Sequence, residues 1–247
     1  MPGVIRIDEH GATRLVTLDR PQARNAFDTA LYRAAAGALD DARADDAVHV
    51  VVITGTPPAF SAGQDLEEMA RLAAGESTES GFPDFLDALG RFDKPLVAAV
   101  NGVAVGIGFT MLAHCDLVLV ATSARLRTPF AELGVAPEAA SSYLFPARMG
   151  WQRAAYVLFT SPWLSAAEAV EFGIAFAECP DGEVVSRALE LAATIGAAPL
   201  GSLRAIKQTM LAAIEPAVTA ARAREDAAFA ALLGSDATRG ALDAFGS

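Results

Sequence analysis

Residues 94–116 read K-P-L-V-A-A-V-N-G-V-A-V-G-I-G-F-T-M-L-A-H-C-D. Leu96 to Val100 is an unbroken apolar run behind a proline, the pattern of a strand buried on both faces. Asn101-Gly102 interrupts it, and a glycine-spaced segment (Gly102, Gly106, Gly108) leads into Phe109, Met111 and Leu112, which continue as an apolar helix. A buried strand that enters a helix through glycines leaves backbone N–H groups free at the helix start, with the positive end of the helix dipole behind them. Such a junction holds an anion or stabilises an oxyanion. What the rest of the chain brings beside it decides between the two.

Working upstream, Val48 to Thr54 (V-H-V-V-V-I-T) is a second buried strand, followed by P-P-A-F-S-A-G-Q-D-L-E-E-M. Gly63 marks a tight turn there, and Asp65 to Arg71 opens a helix with acids in its first turn. Two parallel strands with helical crossovers place both junctions at one sheet edge. Two N–H groups from two such junctions make an oxyanion hole. His49, inside the strand, has no second histidine nearby and reads as a packed strand residue. Before it, Val4–Asp8 and Arg14–Leu18 alternate around His10-Gly11 as a hairpin. Asp28 or Thr29 caps a helix with Leu31, Ala34, Ala35, Ala38 and Leu39 on one face, which Asp45-Asp46 ends in a solvated turn.

Downstream, Asp116 to Ala121 is a third buried strand. Pro137-Glu138 reads as the first turn of a helix, where proline and an acid are both favoured. From Trp151 the pattern is helical in segments 151–160, 165–172, 183–196, 200–213 and 216–233, divided by Ser161-Pro162, Gly173, Pro199 and Pro216. A boundary is expected near residue 198, with a mixed α/β core over 1–198 and a self-associating helical region over 199–247. Ala73 to Phe82 (A-A-G-E-S-T-E-S-G-F) reads as a mobile surface loop.

Composition narrows the function classes. The chain has 247 residues, 53% of them hydrophobic and 20% charged, as in a globular domain with a sizeable core. A net charge of −11 argues against a nucleic-acid surface, although a few local arginines can hold a phosphorylated small molecule. No apolar run reaches the roughly 18 residues of a membrane span. Met1 to Arg6 lacks the layout of a signal peptide, and Cys115 and Cys179 are too few for a disulfide framework, so a reducing cytoplasm is expected. Lys94 and Lys207 are the only lysines among abundant arginine and alanine, a compositional bias with no mechanism attached. A dinucleotide turn is rejected because Gly106-Ile107-Gly108-Phe109-Thr110-Met111 lacks the third glycine of G-x-G-x-x-G. His114-Cys115-Asp116 has no second cluster to complete a metal site. No metal and no separate cofactor are expected.

Four motifs together resemble the crotonase superfamily, the enoyl-CoA hydratase/isomerase family: R-P-Q-A-R-N-A-F near the start, A-F-S-A-G-Q-D-L, K-P-L-V-A-A-V-N-G-V-A-V-G-I-G and the helical tail. The resemblance spans nearly the whole chain. It implies an α/β spiral of ββα units, an acyl-CoA thioester as substrate, and a homotrimer or dimer of trimers built through C-terminal helices. Carried over by position, the oxyanion hole is the N–H of Gln64, after Gly63, and the N–H of Ile107, after Gly106. Ile107 departs from the glycine common there, but only its N–H is used. The coenzyme A pattern maps onto Ala23, Arg24 and Ala26, and onto Ala62, Asp65 and Leu66. Arg24 is the natural phosphate partner, with Lys207 a weaker one.

The fold does not choose the reaction; acids and bases do. Hydratases of the family use two glutamates, and this chain has Thr110 and Phe130 at those positions. Neither shuttles a proton, which disfavours addition of water. Glu138, in G-V-A-P-E-A-A-S-S-Y-L-F-P, resembles the single base of the peroxisomal type of Δ3,Δ2-enoyl-CoA isomerase. It would take a proton from C2 of a 3-enoyl-CoA and return it at C4, with Phe130 and Leu133 providing an apolar wall that raises its basicity. Glu132, six residues earlier, is the competing acid. Ser141, Ser142 and Tyr143 read as helix and core residues. The alternatives are another hydratase-like reaction of the family or a silent acyl-CoA-binding protein.

Overall fold

The computed structural model describes residues 3–76 and 80–245. Two strands, β1 (Ile5–His10) and β2 (Thr13–Leu18), form the antiparallel hairpin read from their alternation. Helix α1 (Thr29–Ala44) follows, capped by Asp28, whose side chain accepts the Leu31 N–H. The chain continues through β3 (Val50–Gly55), β4 (Ala59–Ser61), α2 (Leu66–Ala73) and α3 (Phe82–Arg91). Next come β5 (Leu96–Val100), β6 (Val103–Val105) and the single turn α4 (Ile107–Thr110), then β7 (Leu117–Ala121), β8 (Arg125–Arg127) and α5 (Phe130–Leu133). Then come α6 (Ser141–Met149), α7 (Trp151–Thr160), β9 (Leu164–Ser165), α8 (Ala166–Glu171), β10 (Ala177–Cys179), α9 (Val184–Gly196), α10 (Leu200–Leu233) and α11 (Asp236–Phe245). Of the loop expected over 73–82, residues 77–79 lie outside the described residues.

From β3 to β8 the strands alternate between two sheets. One has the order β1-β2-β3-β5-β7-β10, the other β4-β6-β8-β9. Each of the three passes from β3 to α5 therefore lays one strand in the large sheet, one in the small sheet, and then one or more helices. This is the ββα spiral that the resemblance implied. Strands β3, β5 and β7 are parallel and almost wholly buried, which is why they read as continuous apolar runs. The small-sheet strands are only two or three residues long, too short to show a period. The sequence alone therefore showed the second sheet only as glycine-spaced connections.

Three expectations change. The apolar helix after Gly108 is a single turn followed by a 3-10 turn over Met111–His114. Pro137-Glu138 does not start a helix: Ala139 and Ala140 both take left-handed conformations, and α6 begins at Ser141. Pro216 does not divide the tail, because α10 runs straight through it. Proline removes one donor, and the carbonyl left without it, Ala212, faces solvent and can be hydrated.

Both lysines have structural roles that composition hides. Lys94 is fully buried, and its Nζ donates to the carbonyls of Ala42, Asp45 and Val48 at 2.6–2.7 Å. It ties the end of α1 to the entry of β3. Lys207 on α10 donates to both oxygens of Asp116 at 2.6 and 2.7 Å, and Asp116 also accepts the Leu96 N–H. Lys207 is 6% exposed, so its charge is committed to Asp116 rather than offered to a phosphate.

Candidate active site

The two glycine junctions meet where the small sheet ends. Gly63 has φ +95°, and a Cβ built there would lie 2.7 Å from the carbonyl oxygen of Val105, the residue before Gly106. Only glycine lets the two backbones approach this closely. Beside it, Phe27 and Gln64 form a parallel bridge in which the Phe27 N–H donates to Gly63 O and the Asp65 N–H to Phe27 O. That pattern uses the carbonyl before Gln64 and the N–H after it, the Gly63 N–H donates to Ser61 Oγ, and Gln64's own N–H is left without an acceptor among the described residues. Ile107 is the first residue of α4, where helix geometry leaves the N–H unpaired. Its side chain is fully buried, turned into the core.

Gln64 and Ile107 line one cavity of about 180 Å³, together with Ala62, Leu66, Phe130 and Glu138. Met69, Leu133, Val135, Phe229 and Leu233 make most of its wall apolar. Glu138 is the one carboxyl group among the described lining residues. Burial first, and then the negative charge of Glu225, push its pKa up to about 8, while a hydrogen bond from Thr110 acts the other way. The Thr110 hydroxyl is 3.5 Å from Glu138 Oε1. A carboxyl poised near neutrality beside two free N–H donors can take a proton from a carbon acid whose carbonyl oxygen those donors hold.

Glu132 is excluded from this role by its surroundings. It points away from the cavity and pairs with Arg127, whose Nη2 is 2.7 Å from Oε2.

The remaining residues expected to bind coenzyme A do not line the cavity but sit at its edge. Ala23, Arg24 and Ala26 form the loop before α1, and the Arg24 carbonyl accepts the Ala62 N–H at 2.9 Å, so the two halves of the pattern are stitched together. Arg24 is exposed and left-handed (φ 50°), and its guanidinium has no partner among the described residues. Asp65 caps α2, accepting from the Glu67 and Glu68 N–H groups, and faces Arg20 at 3.4 Å.

Sequence reasoning missed the residues that hold this site in shape. Arg20 pairs with Asp28 at 3.0 Å as well as Asp65. Asn25, fully buried, accepts the Arg20 N–H and donates to the carbonyls of Thr56 and Ala59. Tyr32, buried on α1, donates to Gln64 Oε1 at 2.7 Å, and burial holds its pKa well above the usual phenol range. Glu225 accepts the N–H groups of Ala140 and Ser142, and His114 Nε2 lies 2.8 Å from the Ala139 carbonyl. Each of these bonds joins segments distant in the chain, except those of Arg20 to Asn25 and Asp28. Only the motif R-P-Q-A-R-N offered a signal, through Arg20 and Asn25.

Comparison with known proteins agrees with this geometry. The sequence pattern of the enoyl-CoA hydratase/isomerase family matches residues 8–246. A 2,3-dehydroadipyl-CoA hydratase of Escherichia coli (strain K12) is 32% identical over 231 residues, 94% of this chain and 91% of the relative. Enoyl-CoA delta isomerase 2 of Rattus norvegicus is 35% identical over 83% of this chain, which spans 54% of that longer protein. The structure of Pseudomonas aeruginosa OdaA superposes with a TM-score of 0.93 at 36% identity, covering 98% of each chain. Hydratases and isomerases thus both stand among the relatives. The chain is an acyl-CoA-processing enzyme of the enoyl-CoA hydratase/isomerase family, within the crotonase superfamily.

Proposed function

We propose that the protein is a Δ3,Δ2-enoyl-CoA isomerase with Glu138 as its single acid–base group. The observation that carries the reading is the cavity with one carboxyl among its described lining residues: Glu138 faces the space beside the Gln64 and Ile107 N–H groups. The family resemblance supports it, since by position it puts Thr110 and Phe130 where hydratases have their two glutamates. In this reading the thioester oxygen accepts both N–H bonds. Glu138 removes a proton from C2 of a 3-enoyl-CoA, giving a dienolate whose charge rests on that oxygen, and returns the proton at C4. Substrate and product are isomers, so one group that gives back what it takes suffices. Water addition needs a second group to hold and activate the water.

Ala23, Arg24, Ala26, Ala62, Asp65 and Leu66 are assigned to the nucleotide and pantetheine of coenzyme A, which is part of the substrate; no separate cofactor or metal is invoked. The exposed Arg24 guanidinium supports the phosphate contact. Assembly as a homotrimer or dimer of trimers, with residues 199–247 as the helical region involved, belongs to the same proposal, and so does a cytoplasmic location. No described helix is long and apolar enough to cross a membrane.

A second reading, water addition to a 2-enoyl-CoA, is favoured by the hydratase relative that matches nearly end to end. One experiment separates them. Purified protein is given a 3-enoyl-CoA and, separately, a 2-enoyl-CoA, and products are resolved by chromatography. The isomerase reading expects double-bond migration that Glu138→Gln abolishes, with negligible hydration in either protein. Efficient hydration that survives Glu138→Gln would refute it.

A further inference from the structure

Glu138 is followed by two consecutive left-handed alanines, Ala139 and Ala140, both at φ 57°. That conformation is strained for a residue with a Cβ, and it persists only where neighbours enforce it. Two ionisable side chains from separate elements do so. His114, at the end of the 3-10 turn before β7, lies with Nε2 2.8 Å from the Ala139 carbonyl. Glu225, on α10 and 4% exposed, accepts the Ala140 N–H at 2.7 Å and the Ser142 N–H at 2.8 Å. A carboxyl group buried with no ion pair among the described residues needs a reason, and here its two oxygens satisfy the donors that the strained pair and the start of α6 would otherwise leave open.

We propose that His114 and Glu225 are positioning residues that clamp Ala139–Ala140 and thereby aim the Glu138 carboxyl into the cavity. Separately, the negative charge of Glu225 opposes ionisation of Glu138. This rests on Glu138 being the base. Burial lowers the His114 pKa to about 4, so its ring is neutral at working pH and donates through Nε2. Other charged or titratable groups near the segment are Tyr32 from α1, with Glu68 beyond it, Asp226 next to Glu225, and Arg148, Arg222 and Lys207 around His114. None of these hydrogen-bonds to the Ala139–Ala140 backbone among the described residues; Thr110, which reaches Glu138 itself, is uncharged. The clamp makes α10 part of the catalytic apparatus, because Glu225 sits on the same helix as the cavity-lining Phe229 and Leu233.

The test is Glu225→Gln. Its amide has one acceptor oxygen in place of two and no charge. The expected result is a kcat lower by about 10- to 100-fold, the scale of a misaligned reacting group, with KM changed by less than about twofold. The acid limb of the kcat/KM profile should move to lower pH by about half a unit to one unit, as removal of a like charge dictates. A variant that only unfolds more easily, with kcat and the acid limb unmoved, would overturn the proposal. Should Glu225→Gln not fold, amide exchange in the wild type reads the clamp directly. The Ala140 and Ser142 amides should exchange at least about 100-fold more slowly than an unprotected peptide, and exchange at the unprotected rate overturns it. Wild-type protein without isomerase activity would remove the catalytic reading alone. Carboxyl 13C titration of Glu138, compared between wild type and Glu225→Gln, and the amide exchange would still decide the clamp.

Discussion

Replacing Glu138 with glutamine should destroy activity and, above neutral pH, make the protein more stable. The carboxyl has its pKa raised from 4.5 to about 8, chiefly by burial and next by Glu225. The folded protein therefore binds one more proton than the unfolded chain between these values, and stability falls as pH rises through that window. At about 1.4 kcal/mol per unit the full shift corresponds to roughly 5 kcal/mol. Glu138 lines a cavity that water can enter and keeps some exposure, so a smaller loss, about 2–4 kcal/mol by pH 9, is the expectation. Glutamine has the same shape and no charge to desolvate. Urea unfolding of both proteins from pH 5 to 9 should show Glu138→Gln ahead by less than about 1 kcal/mol at pH 5 and by about 2–4 kcal/mol at pH 9. A difference that does not change with pH, or a variant less stable at pH 9, would mean that the carboxyl is not held in a medium hostile to its charge. The argument for its basicity would then fail.

Other outcomes follow from single contacts. Gly63→Ala forces a Cβ to within 2.7 Å of Val105 O at φ +95°, so it should separate the two junctions and lower kcat by about 10²–10³, the worth of one oxyanion donor, in steady-state assays. Thr110→Val removes the hydroxyl that favours the ionised Glu138, so the acid limb of kcat/KM, expected near pH 8, should move to higher pH; a shift to lower pH would reverse the sign argued here. Lys94→Met strands the carbonyls of Ala42, Asp45 and Val48 and should cost about 3 kcal/mol or more in urea unfolding, while KM for the thioester stays unchanged.

What the sequence shows and hides follows from the range of each interaction. The buried parallel strands, the two glycine junctions and the uncharged residue at position 110 are local facts. V-V-V-I-T, L-V-A-A-V and the threonine at position 110 carry them without help from the fold. Glu138 was legible through its motif, but its backbone was not. Pro137-Glu138 has the composition of a helix start, and the left-handed pair after it is enforced by His114 and Glu225, which lie 25 and 85 residues away. Lys94 and Lys207 looked like remnants of a compositional bias, because nothing near them in sequence names Val48 or Asp116 as partners. Pro216 looked like a break because a proline's cost was read without knowing that Ala212, the carbonyl it strands, faces water. Local chemistry was readable; long-range hydrogen-bond partners were not.

The central claim is that one carboxyl, Glu138, carries the same proton from C2 to C4. It is tested most directly with a 3-enoyl-CoA deuterated at C2, turned over once in ordinary water, with the product's label located by NMR. The account predicts that part of the deuterium appears at C4 in the wild type, and that Glu138→Gln gives neither migration nor exchange. Complete loss of label to solvent with migration intact in Glu138→Gln, or a 3-hydroxyacyl-CoA as the main product, would contradict it.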